Sequence, residues 1–368
     1  MHCTNWILCA LACGVLAAAP NLSWAYPASF DWRNASAPYA GIVNPVRNQG
    51  NFGTCWTFGA LASYEFNWKQ QLIDAGLMTD PAQDVYFSSR YMAWMGFKPP
   101  LDEPNGLVPT DMEDDPEDNP DGSPYEAGGL TSTAIHSMLL NGVVWNKDMP
   151  YAPAGAEKME GVPTRLQPAG LLHDALFLPD VQNKDEKTRE RLKELISKYG
   201  VVNISYAESD SEEPSEDASK EIYNPNPEEP NHAVSLVGWD DDYEFTELED
   251  APKGKGAWIL RNSWGEDAGE DGYFWISYED ATLADAAFFI AELDSARYTT
   301  AEGHWGWNEE NGEIRYTAKF DTPKLSLASA QTSAANQMIK AVNFFAGDPG
   351  MSYEVVIRSG SAPGEGQI

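Results

Sequence analysis

Cysteine is nearly missing from this chain. Of its four cysteines, Cys3, Cys9 and Cys13 fall in the first twenty-five residues, and Cys55 stands alone after them. A disulfide framework is thereby excluded for everything beyond residue 25. Basic residues are scarce too: 24 Lys and Arg face 57 Asp and Glu, a formal net charge of −33. A field of that sign repels nucleic acid and anionic membranes, so neither is expected as a partner. Long apolar runs are also missing. The stretch from Ile7 to Ala19 is too short to cross a bilayer and nothing downstream is longer, so no membrane span is expected. The acid-rich "DDPEDNPDG" (114–122) does not fit the spacing of an EF-hand loop, and no metal or cofactor is expected.

The first twenty-five residues hold no Asp, Glu, Lys or Arg and end in Ser23-Trp24-Ala25, a small-x-small cleavage site. They read as a secretory signal peptide, which places the chain outside the cell or on its surface; a lipid anchor at Cys13 in "ALACG" is the alternative. An exported protein that keeps one thiol uses it either as a bland buried residue or as a reactive group.

The acids are clustered. Residues 101–124 hold nine carboxylates, 208–230 nine and 240–250 seven, so these runs account for 25 of the 57 acids. Each is rich in Pro, Gly, Asn or Ser and reads as a solvated loop inserted into a scaffold.

Few breakers interrupt the chain from Cys55 to about Ala75, where Phe58, Leu61, Ala62, Phe66 and Leu72 fall near helical spacing. Further helices are predicted over 131–140, after Gly128-Gly129, and over about 184–199, stopped by Gly200. Beyond Gly200, "GVVNISYA", "HAVSLVGW", "GAWILRN" and "GYFWISY" are short β-branched and aromatic runs. A helical half thus precedes a sheet-rich half, an α+β arrangement with a crevice between two packed units. After about Asp294, "HWGWN", "GEIRYTAKF", "MIKAVNFFAG" and "SYEVVIRSG" read as strands of a sandwich-like β module that the chain leaves incomplete.

Cys55 opens the first helix, just after the Gly-rich turn "GNFGT". A helix N-terminus favours thiolate. A nucleophilic cysteine also needs a base, a group to orient the base, and donors for the oxyanion. Among the five histidines, His2 leaves with the signal, His136 lies on an apolar helix, His173 follows a Leu-Leu pair and His304 is in the terminal segment. His232 opens a strand-like run right after an acidic loop, the best placing for a base at a crevice.

"NQGNFGTCWTF" (48–58), "NHAVSLVGWDDDY" (231–243) and "ILRNSWGEDAGEDGYFWISY" (259–278), with "FDWRN" at 30–34, together resemble the papain family of cysteine peptidases over about residues 26 to 294. The resemblance implies a two-lobed fold, a helical lobe beside a β-barrel-like lobe, and amide hydrolysis of polypeptide substrates. It implies Cys55 as nucleophile, His232 as acid and base, Asn262 as its orienting partner and Gln49 as oxyanion donor. Trp264 should cover the Asn262–His232 contact at the substrate cleft, Gly128 and Gly129 should line that cleft, and Glu65 should be structural. The resulting expectation is a signal peptide (1–25), a peptidase domain (26–295) and a β-rich module (296–368) similar to the lectin-like domains that follow such peptidases in some bacterial surface proteins, with glycans as its ligands. The competing expectation is an inactive papain-like adhesion protein that binds glycan through that module.

The chain departs from the family in three ways. Phe52 and Ala127 stand where the family has a disulfide pair. Cys55 and His232 are 177 positions apart, against roughly 130 to 150 expected from Cys to His and Asn; the acidic loops absorb the excess, since loop closure entropy grows slowly with length. Only a few residues separate Ala25 from "FDWRN", where an inhibitory pro-segment is expected.

Overall fold

The computed structural model describes residues 26–97, 125–126, 128–151, 166–178, 181, 185–208 and 219–293, and two short pieces at 307–308 and 313–314. In chain order the elements are β1 (Ser29–Asp31), a 3-10 turn (Trp32–Asn34), α1 (Cys55–Asp74), α2 (Ser89–Phe97), α3 (Thr131–Asn141), β2 (Leu171–Phe177), α4 (Glu186–Tyr199), β3 (Val202–Tyr206), β4 (Glu221–Ile222), β5 (His232–Asp240), β6 (Ala257–Arg261), β7 (Tyr273–Ser277) and β8 (Ala284–Glu292). Two further pairs of residues, β9 (Trp307–Asn308) and β10 (Glu313–Ile314), form an antiparallel ladder of their own. The main sheet runs β2-β8-β3-β5-β6-β7-β4, with β1 added on β5. Its pairings are antiparallel except β4 with β7.

The placing of α1 governs the rest. Cys55, Gly59, Ser63, Asn67 and Gln71 recur every four residues, so they form one slowly winding stripe along the helix. That stripe lies on the sheet. Gly59 is where the two backbones come closest, since a Cβ there would sit 2.5 Å from Asn203 Oδ1 and 2.9 Å from the Val234 carbonyl. Ser63 Oγ donates to the Val201 carbonyl at 2.6 Å and accepts from the Phe289 N–H at 3.1 Å. Asn67 Oδ1 accepts from the Ala291 N–H at 2.9 Å, and Gln71 Nε2 donates to the Ala291 carbonyl at 2.9 Å. These polar groups are buried without penalty because each meets a backbone group of the sheet. The first member of the stripe, Cys55, is thereby aimed at the sheet where β5 begins.

Apolar side chains fill two cores. One joins α4 and the sheet around Trp239, Phe288, Leu236 and Ile196. The other joins α1, α2 and α3 around Trp56, Tyr64, Phe87 and Met138.

The helices read over 55–75, 131–140 and 184–199 and the four strands after Gly200 are all present. Among the longer elements, α2, β2 and β8 were not read from the sequence, and neither were the short β1, the 3-10 turn and β4, the last of which falls inside the 208–230 run read as a loop. β2 lies within the helical half yet joins the sheet through β8, so the two halves interleave rather than follow one another. Of the terminal strand calls, those in "HWGWN" and "GEIRYTAKF" meet β9 and β10; "MIKAVNFFAG" and "SYEVVIRSG" lie outside the described residues, as do the signal segment and the 101–124 loop. Among the described residues no helix is long and apolar enough to cross a membrane, and no group of His, Cys, Asp and Glu could hold a metal ion.

Candidate active site

The sequence-distant residues converge through two local pairings. Residues 47–49 run antiparallel to 263–265: Gln49 N–H donates to the Ser263 carbonyl at 2.7 Å, Gly265 N–H to the Arg47 carbonyl at 3.1 Å, and Asn48 bridges Trp264. This carries Gln49 to the segment after β6. The β3–β5–β6 ladder does the rest, bringing the start of β5, His232, beside Tyr206 at the end of β3 and near Asn262 just past β6.

His232 is buried, and its Nε2 lies 2.8 Å from Asn262 Oδ1. The same oxygen accepts from the Ser263 N–H at 2.8 Å, which fixes the amide's orientation. With Asn262 accepting at Nε2, the imidazole carries a proton there and turns Nδ1 toward Cys55. Trp264 stacks on the imidazole, ring centroids 5.0 Å apart at 22°, and its own edge is held by Phe274.

Cys55 is half-buried and hydrogen-bonded to His232. Burial alone pushes its thiol up, but the hydrogen bond and charge of His232, together with the N–H groups of Ala233 and Trp56, outweigh it and leave the thiol below its ordinary value. For His232 burial pulls the imidazole down, while the bond to Cys55, its thiolate charge, the bond to Asn262 and the charge of Glu208 lift it above the ordinary value. Both shifts favour a thiolate–imidazolium pair.

Gln49 is buried beside them. Its Oε1 accepts from Ser263 Oγ at 2.6 Å, so the amide must turn Nε2 the other way. One of the two N–H groups donates to the Phe52 carbonyl at 2.9 Å. Tyr151 clamps the same turn, donating to the Gln49 carbonyl at 3.0 Å and sharing a hydrogen bond with Thr54.

Gly128 has φ +68, a conformation that favours glycine, and a Cβ on Gly129 would fall 2.5 Å from atoms of the Trp56 ring. The neighbouring backbone therefore lies flat on Trp56. Glu65 sits apart from this group: it is 1% exposed and accepts from Asn44, Arg47 and the Phe87 N–H. Of the other histidines, His136 is buried on α3, where desolvation lowers it to about 4, and His173 faces Glu292 at 3.6 Å. Neither joins the cluster.

Sequence reasoning missed Ser263 and Tyr151, and read Phe52 only as a departure from the family pattern. Ser263 lies inside the 259–278 motif beside Asn262, with nothing in its residue type to mark it. Tyr151 sits about a hundred residues from its partners, with no local signal. Phe52 replaces an expected cysteine: its ring is buried against the second core, and a Cβ on Gly53 would lie 2.8 Å from the Glu126 carbonyl, so the two segments touch directly.

A profile of the papain family cysteine proteases matches residues 26–78 and 124–290. Among curated proteins the chain is similar to cathepsin K of Gallus gallus, 27% identical over 69% of this chain and 60% of the relative, and to pro-cathepsin H of Mus musculus, 26% identical over 68% and 60%. The chain thus spans about 60% of the length of these relatives. Among solved structures it resembles the cysteine protease and lectin-like domains of Cwp84, a surface layer associated protein of Clostridium difficile, at TM-score 0.50 and 25% identity, covering 73% of this chain and 52% of that one.

Proposed function

The chain belongs to the papain family of cysteine proteases, and from that premise we propose that it is a secreted cysteine endopeptidase that cleaves polypeptides through an acyl-enzyme on Cys55. The Cys55 thiolate attacks the scissile carbonyl carbon, and the electron pair of the carbonyl moves onto oxygen, which takes donors from Gln49 Nε2 and the Cys55 backbone N–H. Collapse expels the amine, to which the His232 imidazolium gives its proton. A water then loses a proton to His232 and attacks the thioester, and the acid product and the Cys55 thiolate separate. Asn262 and Trp264 hold the imidazole in its plane throughout. Gly128 and Gly129 offer bare backbone to an extended peptide.

The observation that carries this reading is the His232–Asn262 hydrogen bond at 2.8 Å under the stacked Trp264 ring, with the Cys55 thiol lowered and the His232 imidazole raised by each other. The test is labelling with an epoxysuccinyl thiol-protease inhibitor. One label per chain on Cys55, lost in His232→Ala, is expected; an unlabelled wild-type chain under reducing conditions overturns the peptidase reading. Export rests on the apolar, uncharged first twenty-five residues. Glycan binding by residues 296–368 rests on the strand-rich texture there and on the lectin-like domain named for the Cwp84 structure.

A further inference from the structure

Glu208 lies just past the end of β3, two residues beyond Tyr206, and nothing in the reaction above uses it. It is held from two sides. Its backbone exchanges a reciprocal pair of hydrogen bonds with the Asn231 side chain: Glu208 N–H donates to Asn231 Oδ1 at 2.7 Å, and Asn231 Nδ2 donates to the Glu208 carbonyl at 2.9 Å. Its carboxylate accepts from the hydroxyl of Tyr206, whose ring is fully buried and meets the His232 ring edge-on at a centroid distance of 5.7 Å. Asn231 is the residue directly before His232, and Tyr206 is the register partner of His232 in the β3–β5 ladder. Every restraint on this carboxylate therefore runs to the histidine or its immediate neighbour.

Resting on the peptidase reading of this site, we propose that Glu208 is a positioning residue that keeps the His232 imidazolium protonated until the leaving amine takes its proton, with Tyr206 and Asn231 holding the carboxylate in place. Asn262 supplies direction but no charge. A carboxylate nearby supplies charge, and a close opposite charge favours the protonated imidazole. The other groups around the imidazole, among the described residues, do not duplicate it. Cys55 approaches from α1, and Asn262 and Trp264 come from beyond β6. Asp280, felt by Tyr206, spends its oxygens on the Asn224 and Thr282 N–H groups and the Thr282 hydroxyl. Glu208 also appears among the charges that raise His232.

The test separates this from the reading it rests on. In Cys55→Ala the thiolate is gone, so an NMR titration of the His232 ring protons reads the remaining influences without any need for activity. Adding Glu208→Gln is expected to lower the His232 midpoint by about 1 unit, and Glu208→Asp to restore part of it. Tyr206→Phe, which keeps the ring against His232 and frees the carboxylate, is expected to give a smaller drop. In the chain with Cys55 intact, Glu208→Gln should move the alkaline limb of kcat/KM to lower pH and leave the acid limb in place. Equal His232 midpoints in Cys55→Ala and Cys55→Ala/Glu208→Gln overturn the proposal, whatever the inhibitor labelling gives. An unlabelled Cys55 overturns the peptidase reading alone.

Discussion

At the scale of single residues, the cluster separates groups that carry charge from groups that aim it. If Gln49 is the oxyanion donor proposed above, Gln49→Ala is expected to cut kcat by about 10² to 10³ with KM nearly unchanged, checked by steady-state hydrolysis of a fluorogenic peptide. The thiol and imidazole shifts set a pH profile with a defined sign. Cys55 is lowered, so thiolate persists below the range of a free thiol, and His232 is raised, so imidazolium persists above the range of a free imidazole. Alkylation of Cys55 by iodoacetamide should therefore fall only as pH drops through the lowered thiol value. Peptide hydrolysis should in addition fall as pH rises through the raised imidazole value, where thiolate remains but the proton for the amine is gone. Coincident alkaline limbs in the two measurements would contradict the ion-pair account. Glu65 belongs to a different ledger of effects. It is nearly fully buried and holds Arg47 at 3.1 Å, so Glu65→Ala leaves that guanidinium uncompensated and is expected to cost about 3 to 5 kcal/mol in urea unfolding.

At the scale of elements, the seat of α1 on the sheet decides whether the site exists. Gly59→Ala would force a methyl group within 3 Å of both Asn203 Oδ1 and the Val234 carbonyl. The helix must then lift from β5, at an expected cost of about 1 to 3 kcal/mol. Because Cys55 rides on the same stripe, inhibitor labelling should slow even in the molecules that remain folded; unchanged labelling would show that the stripe does not set the Cys55–His232 approach. Much of this level was legible beforehand. α1 announced itself by an apolar run with few breakers, α4 by its stop at Gly200, and β5, β6 and β7 by β-branched and aromatic runs between turns. β8 was not legible because "ADAAFFIAE" is rich in alanine, a helix former, and its strand lies between β2 and β3, buried on nearly every residue without alternation. β2 alternates no better, and α2 is only nine residues long. Cys55, His232, Asn262 and Gln49 could be picked out because they sit in short motifs, and the structure brings them together. What stayed hidden were the groups that act from afar, Tyr151 and Glu208, whose partnerships depend on tertiary pairing that no local pattern records.

At the scale of the whole molecule, a charge of −33 should select among encounters before any pocket does. Peptides carrying flanking lysines are expected to show kcat/KM that falls as salt rises from about 0.01 to 0.15 M, acidic peptides the opposite slope, because the screening length shrinks across that range. A salt-independent rate for both would mean that the acidic segments lie far from the approach path. The replacement of a crosslink by Phe52 has a consequence at this scale as well. Burying a phenylalanine contributes about 1.5 to 3 kcal/mol, close to the roughly 2 to 4 of a typical disulfide, so the turn before α1 is secured with comparable strength but by a force that carries no electrons. A strong reductant can then restore Cys55 from a sulfenic acid or mixed disulfide without unfastening the scaffold around it, and the melting temperature should be the same with and without dithiothreitol. Among the described residues, thiol oxidation and its reversal are confined to Cys55.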